Sequence, residues 1–255
     1  MSEALSIEEA RKRGGLRLVL PLGVPSPWSE AAKGVLRLKE ISYTPVAHDP
    51  AATDALAEWT GQTSVPALVD EDERSYSRWD EILFFAEERR PSPQLIPADA
   101  SDRASMFGLS HELTGRMGLA WCRRLSMVDD SLREDRPFPA AGARRLGAKY
   151  GYSPEAAAAA PGRVADVLHL LSSQLETQRA RGHSSLVGEQ LSALDVYWAT
   201  FAALIDPLPD EVYAIPARIR EAYTVRDPKI LDAYTPELRR HRELILKRHL
   251  AGGVA

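Results

Sequence analysis

Leu16 to Lys39 reads LRLVLPLGVPSPWSEAAKGVLRLK: a short apolar run, a turn, then a helix. Leu16, Val19 and Leu20 supply the run, and Pro21, Gly23 and Pro25 break it. Ser26 stands where a helix N-cap belongs, with Pro27 at the first helical position, where a missing N–H costs nothing. Ala31, Ala32, Val35 and Leu36 recur at helical spacing and give this helix one buried face. A hydroxyl at such a helix start lies beside orphan backbone N–H groups and the positive end of the dipole. That is a place to stabilise a thiolate or an oxyanion.

Outward from this stretch, Tyr43 to Ala47 predicts a second strand, which Pro45 puts near a sheet edge. Ala51 to Trp59 predicts a short helix closed by Thr60-Gly61. In Gln62 to Val69, Pro66 immediately precedes an apolar strand and belongs at its start, because proline cannot serve a central ladder. Asp70 to Arg74 is a polar turn into a hairpin partner around Ser75 to Arg78. Trp79, Ile82, Leu83 and Ala86 share one helical face and predict a helix from Trp79 to Arg89. The order β-α-β-α-β-β-α defines an α/β domain over residues 15–90. Residues 1–14 read as a polar extension with a short helix over Ser6 to Arg13, and 91–100, with Pro91, Pro93 and Pro97, as a linker.

Residues 101–255 read as an all-helical domain. Met106, Leu109, Leu113, Met117, Trp121, Leu125 and Val128 line one face of a single long helix. Gly108, Gly115 and Gly118 inside it each cost about 1 kcal/mol against alanine, marking close packing, a kink or a bend beside a ligand cleft. Asp129 to Tyr152 reads as irregular. The alanine helix that starts at Ser153-Pro154-Glu155 is expected to stop near Pro161. Val164 to Leu175 carries the next helix, ending by Gly182. Ser192 and Asp195 have capping-box spacing, with Leu191 and Val196 as a hydrophobic staple. Thr235-Pro236-Glu237 opens a last helix that ends near Leu250.

The totals narrow the function. A formal net charge of −4 argues against a general nucleic-acid or membrane-surface partner. The single cysteine, Cys122, excludes an internal disulfide and a multi-thiolate metal site, and reads as a small buried hydrophobe or a pocket-lining thiol. His48, His111, His169, His183, His241 and His249 show no metal-ligand spacing, so no metal is expected. There is no Gly-x-Ser-x-Gly elbow, phosphate loop or dinucleotide fingerprint. No apolar run approaches a membrane span and the polar start does not read as a signal peptide, so a reducing cytoplasm is the expected compartment. The basic helix around Arg239 to Arg248 reads as a solvated face.

Three motifs in order resemble the glutathione transferase superfamily, and the resemblance spans nearly the whole chain. Ser26-Pro27-Trp28-Ser29 is similar to the Cys/Ser-Pro-aromatic-Cys/Ser opening of that family's first helix. Gln62 to Leu68 resembles its Gln-x-Pro-x-Leu segment, which carries a cis proline. Leu186 to Asp195 is similar to its Leu-Val-Gly-x-x-Leu-Ser/Thr-x-x-Asp motif. The resemblance implies a thioredoxin-like α/β N-terminal domain and an all-α C-terminal domain, assembled as a symmetric homodimer. It implies glutathione as co-substrate and a small hydrophobic electrophile as its partner.

In serine-type members the hydroxyl at Ser26's position donates to the thiolate, which makes Ser26 the implied catalytic residue; its plain alternative is an N-cap. Trp28 walls the site or packs. Ser64, Val65 and Pro66 stand against the cysteinyl portion, and Ser29 cannot form the disulfide of a dithiol oxidoreductase. The departure lies at Arg78 and Trp79. They occupy the place of the Glu/Gln/Asp-Ser pair that holds the γ-glutamyl end, as in an atypical bacterial branch. Helical phase turns Trp79 inward with Ile82, Leu83 and Ala86 and leaves Arg78 to hold the carboxylate. The alternatives are a non-catalytic binding or adaptor module of the same fold and a glutathione-dependent etherase or isomerase.

Overall fold

The apolar run becomes β1 (Arg17–Pro21), whose consecutive Leu18 and Val19 are both fully buried. Burial of neighbouring residues on opposite faces means that the strand is covered on both sides, as a central strand must be. In this computed structural model, which describes residues 4–49, 53–134, 138–211 and 215–250, the sheet has four strands in the order β2-β1-β3-β4. β2 (Thr44–His48) runs parallel to β1, whereas β3 (Ala67–Val69) is antiparallel to β1 and β4 (Ser75–Tyr76) antiparallel to β3. Pro45 thus lies on an edge strand, where its missing N–H is tolerated.

That edge is covered from an unexpected quarter. Leu5 bridges Val46, its N–H donating to the Pro45 carbonyl at 3.0 Å and its carbonyl accepting from Ala47 at 2.8 Å. α1 (Ile7–Arg11) follows, and Ala10 joins Val19, Val46, Leu56 and Ala67 in one core cluster. Residues 4–14 are therefore part of the α/β unit and blunt its open edge. α3 (Asp54–Thr60) ends in Gly61, whose φ of 72° closes it; Ala51 and Ala52 of the expected helix lie outside the described residues. α2 (Pro27–Leu38) and α4 (Trp79–Arg89) are tied together by Lys39. Its buried ammonium lies 2.7 Å from Glu87 and donates to the Arg90 carbonyl at 2.9 Å.

The chain divides between Gln94 and Leu95 into two compact units. In the helical unit the expected long helix is two, α5 (Ala100–Thr114) and α6 (Leu119–Glu134). Gly115 leaves the helix in an extended conformation, and a Cβ there would sit 2.5 Å from the His111 ring. A Cβ on Gly118 would press into the Glu112 carbonyl. These two glycines are the corner itself, a tight reversal that no side chain fits. α7 (Ala140–Tyr150) occupies part of the stretch read as irregular; residues 135–137 lie outside the described residues.

α8 (Pro154–Ala180) runs through Pro161 instead of stopping there. Proline inside a helix costs about 3 kcal/mol. Burial of Val164, Val167, Leu168, Leu171 and Leu175 on the same helix offsets that, at roughly 1.5–3 kcal/mol each.

α9 (Ala193–Phe201) starts at Ser192 with the capping box in place. Asp195, wholly buried, accepts from the Ser192 N–H and hydroxyl, each at 2.9 Å, and from the Leu186 N–H at 2.8 Å, with the His241 ring at 2.9 Å. The Leu186–Asp195 motif is thus a loop clamped on a helix start. α10 (Ala217–Tyr223), α11 (Pro228–Ala233) and α12 (Pro236–Ile245) complete the unit.

Candidate active site

Ser26 takes the N-cap position of α2 with an extended backbone (φ −79°, ψ 127°), and its carbonyl accepts from Glu30 N–H at 2.9 Å. Its hydroxyl makes no cap bond. Half-buried, that hydroxyl has no partner among the described residues, which separates it from an ordinary N-cap serine. Ser29, one turn on, is 1% exposed, and its hydroxyl also lacks a hydrogen-bond partner. Trp28 is half-buried.

The Val65–Pro66 bond is cis, as the resemblance implied. Pro66 is buried, Ser64 and Val65 half-buried, and the Val65 main chain makes no hydrogen bond among the described residues. Register places this segment. Val19 pairs with Ala67, and continuing the antiparallel ladder sets Val65 beside Pro21, the last residue of β1. The turn from Pro21 leads directly to Ser26. On the other side Leu68 pairs with Tyr76, so the ladder continues toward Arg78 opposite Pro66. The end of β1, the entrance to β3 and the exit of β4 therefore share one end of the sheet. The starts of α2 and α4 issue from it.

At α4 the helix start is filled. Glu81 reaches back to accept from Ser77 N–H and Arg78 N–H, both at 3.0 Å. Arginine carries no acceptor, so this is the glutamate half of a capping box. Asp80 lies against the other side. Arg78 donates to both of its carboxylate oxygens, at 2.9 Å and 2.5 Å, from a side chain 68% exposed. Burial would raise the Asp80 carboxyl. The hydrogen bond and charge of Arg78, with the backbone N–H groups of Asp80 and Glu81, outweigh burial and hold it below its ordinary 3.8.

Four main-chain donors at this helix start thus face carboxylates of the chain itself, and the guanidinium assigned to a ligand carboxylate is held by Asp80. Trp79 is half-buried, while Ile82, Leu83, Phe85 and Ala86 form the buried face. Sequence reasoning sets Asp80-Glu81 aside as the family's pair, because that alignment would bury Glu87 and Glu88, and misses their role as caps, although an acidic pair in a first helical turn is the signature of a self-capped start.

The remaining candidates lie apart. Cys122 is buried in α6, where desolvation raises its thiol and favours an inert, protonated side chain. Among the described residues no three His, Cys, Asp or Glu side chains gather as a metal site, and no helix is long and apolar enough to cross a membrane.

A thioredoxin-like α/β unit followed by an all-helical unit defines the fold class. Residues 25–89 match the family described as glutathione S-transferase, N-terminal domain. A glutathione S-transferase of Methylobacillus flagellatus KT, solved with glutathione bound, is 18% identical with a TM-score of 0.64, over 94% of this chain and 99% of that one. One from Methylobacterium radiotolerans JCM 2831, in complex with glutathione sulfonate, is 16% identical with a TM-score of 0.62, over 94% of each chain. Glutathione transferase Omega 3C of Trametes versicolor is 15% identical with a TM-score of 0.60, over 100% of this chain and 97% of that one. A search of curated proteins found no match. Residues 25–89 thus match the glutathione S-transferase N-terminal-domain family, and the chain as a whole shares the glutathione transferase fold.

Proposed function

We propose that the protein is a serine-type glutathione transferase in which Ser26 holds the thiol as thiolate for attack on a small hydrophobic electrophile. The observation that carries this reading is the Ser26 hydroxyl, half-exposed at a helix N-terminus and not spent on capping. A free thiol with a pKa near ~8.5 is only about 3% thiolate at pH 7. Lowering that pKa by about two units takes roughly 2.7 kcal/mol. One charge-assisted hydrogen bond supplies about 1.5–3 kcal/mol, so a single free hydroxyl at a helix start is of the right size.

In this reading the thiol loses its proton to water, and the Ser26 hydroxyl donates a hydrogen bond to the resulting thiolate sulfur. The Val65 N–H and carbonyl bind the cysteinyl main chain, and Trp28 and Ser64 border them. Glutathione supplies the nucleophilic sulfur. Relatives crystallised with glutathione or its sulfonate support it as the thiol. A symmetric homodimer in the cytoplasm belongs to the same reading, and sedimentation tests the dimer. The assay is thiol transfer to an activated aryl chloride, wild type against Ser26→Ala. A folded Ser26→Ala protein with undiminished turnover removes the assignment.

The second reading, a binding module of the same fold without transferase activity, is favoured by the start of α4. With Asp80 and Glu81 on its donors, a γ-glutamyl carboxylate finds like charge where the family resemblance implies a serine hydroxyl. Calorimetry with glutathione separates the two: heat at millimolar ligand supports the transferase, silence supports the module.

A further inference from the structure

Serine at an N-cap has a regular use in this chain. Ser6 and Ser192 open α1 and α9, and each hydroxyl bonds the side chain three residues on. Ser6 donates to Glu9 at 2.8 Å and Ser192 to Asp195 at 2.9 Å. Hydroxyls inside the helices have another use. Ser131 and Thr200 donate to the carbonyl four residues back, at 2.6 Å and 3.0 Å.

The start of α2 shows neither pattern. Ser26 is its N-cap and Ser29 its third helical residue, the same two positions whose side chains meet at α1 and α9. Neither hydroxyl has a hydrogen-bond partner among the described residues, and Ser29 is wholly buried. A buried hydroxyl without a partner is costly, and native proteins keep few of them. Helical side chains lean toward the helix N-terminus, which turns the Ser29 hydroxyl back toward Ser26. The ion pair behind them, Lys33 with Glu30 at 2.8 Å, is closed on itself and brings no net charge to this start. A half-exposed hydroxyl is thus backed by a buried one, and both are unused.

We propose that Ser29 is a positioning residue for Ser26: its buried hydroxyl donates to the Ser26 oxygen while Ser26 donates outward to a bound thiolate. The inference rests on the transferase reading of Ser26. Both protons stay on their oxygens. A donor behind Ser26 leaves its own O–H only the outward direction, and a chain of two hydrogen bonds strengthens the outer one. The thiolate draws the Ser26 proton outward and turns a lone pair inward to Ser29. In the ligand-free protein nothing does so, and both hydroxyls stand open.

The test reads thiol acidity. Glutathione bound to wild type and to Ser29→Ala is titrated by the ultraviolet absorbance of its thiolate. Ser29→Ala should raise the pKa of the bound thiol by about 0.5 and lower kcat about threefold at pH values below it. The KM for glutathione should hold. The Tm should not fall, since the ligand-free protein makes no bond with this hydroxyl. The same comparison in a Ser26→Cys background needs no glutathione. There the pKa of the introduced thiol, read from its alkylation rate against pH with wild type as the blank, should rise by about 0.5 when Ser29→Ala is added. Thiol acidity that Ser29→Ala leaves unmoved in both settings would overturn the proposal and leave the role of Ser26 standing. So would a Tm loss above about 4 °C with unmoved acidity, the mark of a purely structural hydroxyl. Undiminished turnover in Ser26→Ala would instead remove the transferase reading, and the proposal with it. Where glutathione does not bind, the introduced thiol decides.

Discussion

Two helices start at the same end of one sheet, and they treat their first turn in opposite ways. α2 begins at Ser26 with a serine hydroxyl that caps nothing. α4 begins at Arg78 with two carboxylates of its own on the donors and a guanidinium locked to one of them. A helix start is an anion site only while its N–H groups lack partners. The α4 start therefore has the chemistry of a structural cap, whereas the α2 start keeps a serine hydroxyl outside its cap. α9 extends the comparison: its box, centred on Asp195, is both filled and buried, and it holds a loop to a helix.

The largest effect is expected at that third start. Asp195→Ala leaves the Leu186 and Ser192 donors unanswered in a dry site and should cost about 3–5 kcal/mol. Thermal denaturation should show a loss of roughly 10 °C; a loss under about 2 °C would mean that a filled cap is not what holds this corner. Next comes Ser26→Ala, expected to lower transfer more than tenfold, about 1.4 kcal/mol, with similar thiol affinity. Since the hydroxyl makes no cap bond, stability should change by less than about 0.5 kcal/mol. A stability loss without a rate loss would reverse the contrast between α2 and α4.

Glu81→Ala is the converse experiment. It should cost about 1 kcal/mol of stability as the Ser77 and Arg78 donors lose their partner. By vacating the helix start it should also tighten glutathione binding about two- to fivefold by calorimetry. Unchanged affinity would show that α4 does not face the ligand.

The smallest effect belongs to Asp80→Asn, because the Arg78–Asp80 pair is exposed and worth under about 1 kcal/mol. Its signature is pH. A carboxyl held below its ordinary 3.8 contributes stability that is full above that value and lost as pH falls through the folded value. The wild type should show this acid limb, and Asp80→Asn should lack it in acid-unfolding curves compared from pH ~5 to ~2.

What the sequence determined by itself was whatever a window of ten to twenty residues encodes. The apolar run of β1, Pro45 on an edge, Pro66 before β3, the helix from Trp79 to Arg89 and the Ser192–Asp195 box are all local patterns. Each formed where the spacing of residues predicted it. Ser26 and Val65–Pro66 could be picked out as a motif, but not the freedom of the Ser26 hydroxyl, which depends on where neighbouring donors go.

Tertiary structure decided the rest. Gly115 and Gly118 became a corner because their missing side chains clear His111 and Glu112. Pro161 stayed helical because distant apolar contacts outweigh its local cost. The polar N-terminus became a sheet edge because β2 had an unpaired side to offer. The start of α4 filled because Asp80 and Glu81 were already within reach, where no periodicity argument looks. Hydrogen-bond satisfaction is settled by the whole set of neighbours in space, and a sequence window holds only the neighbours in the chain.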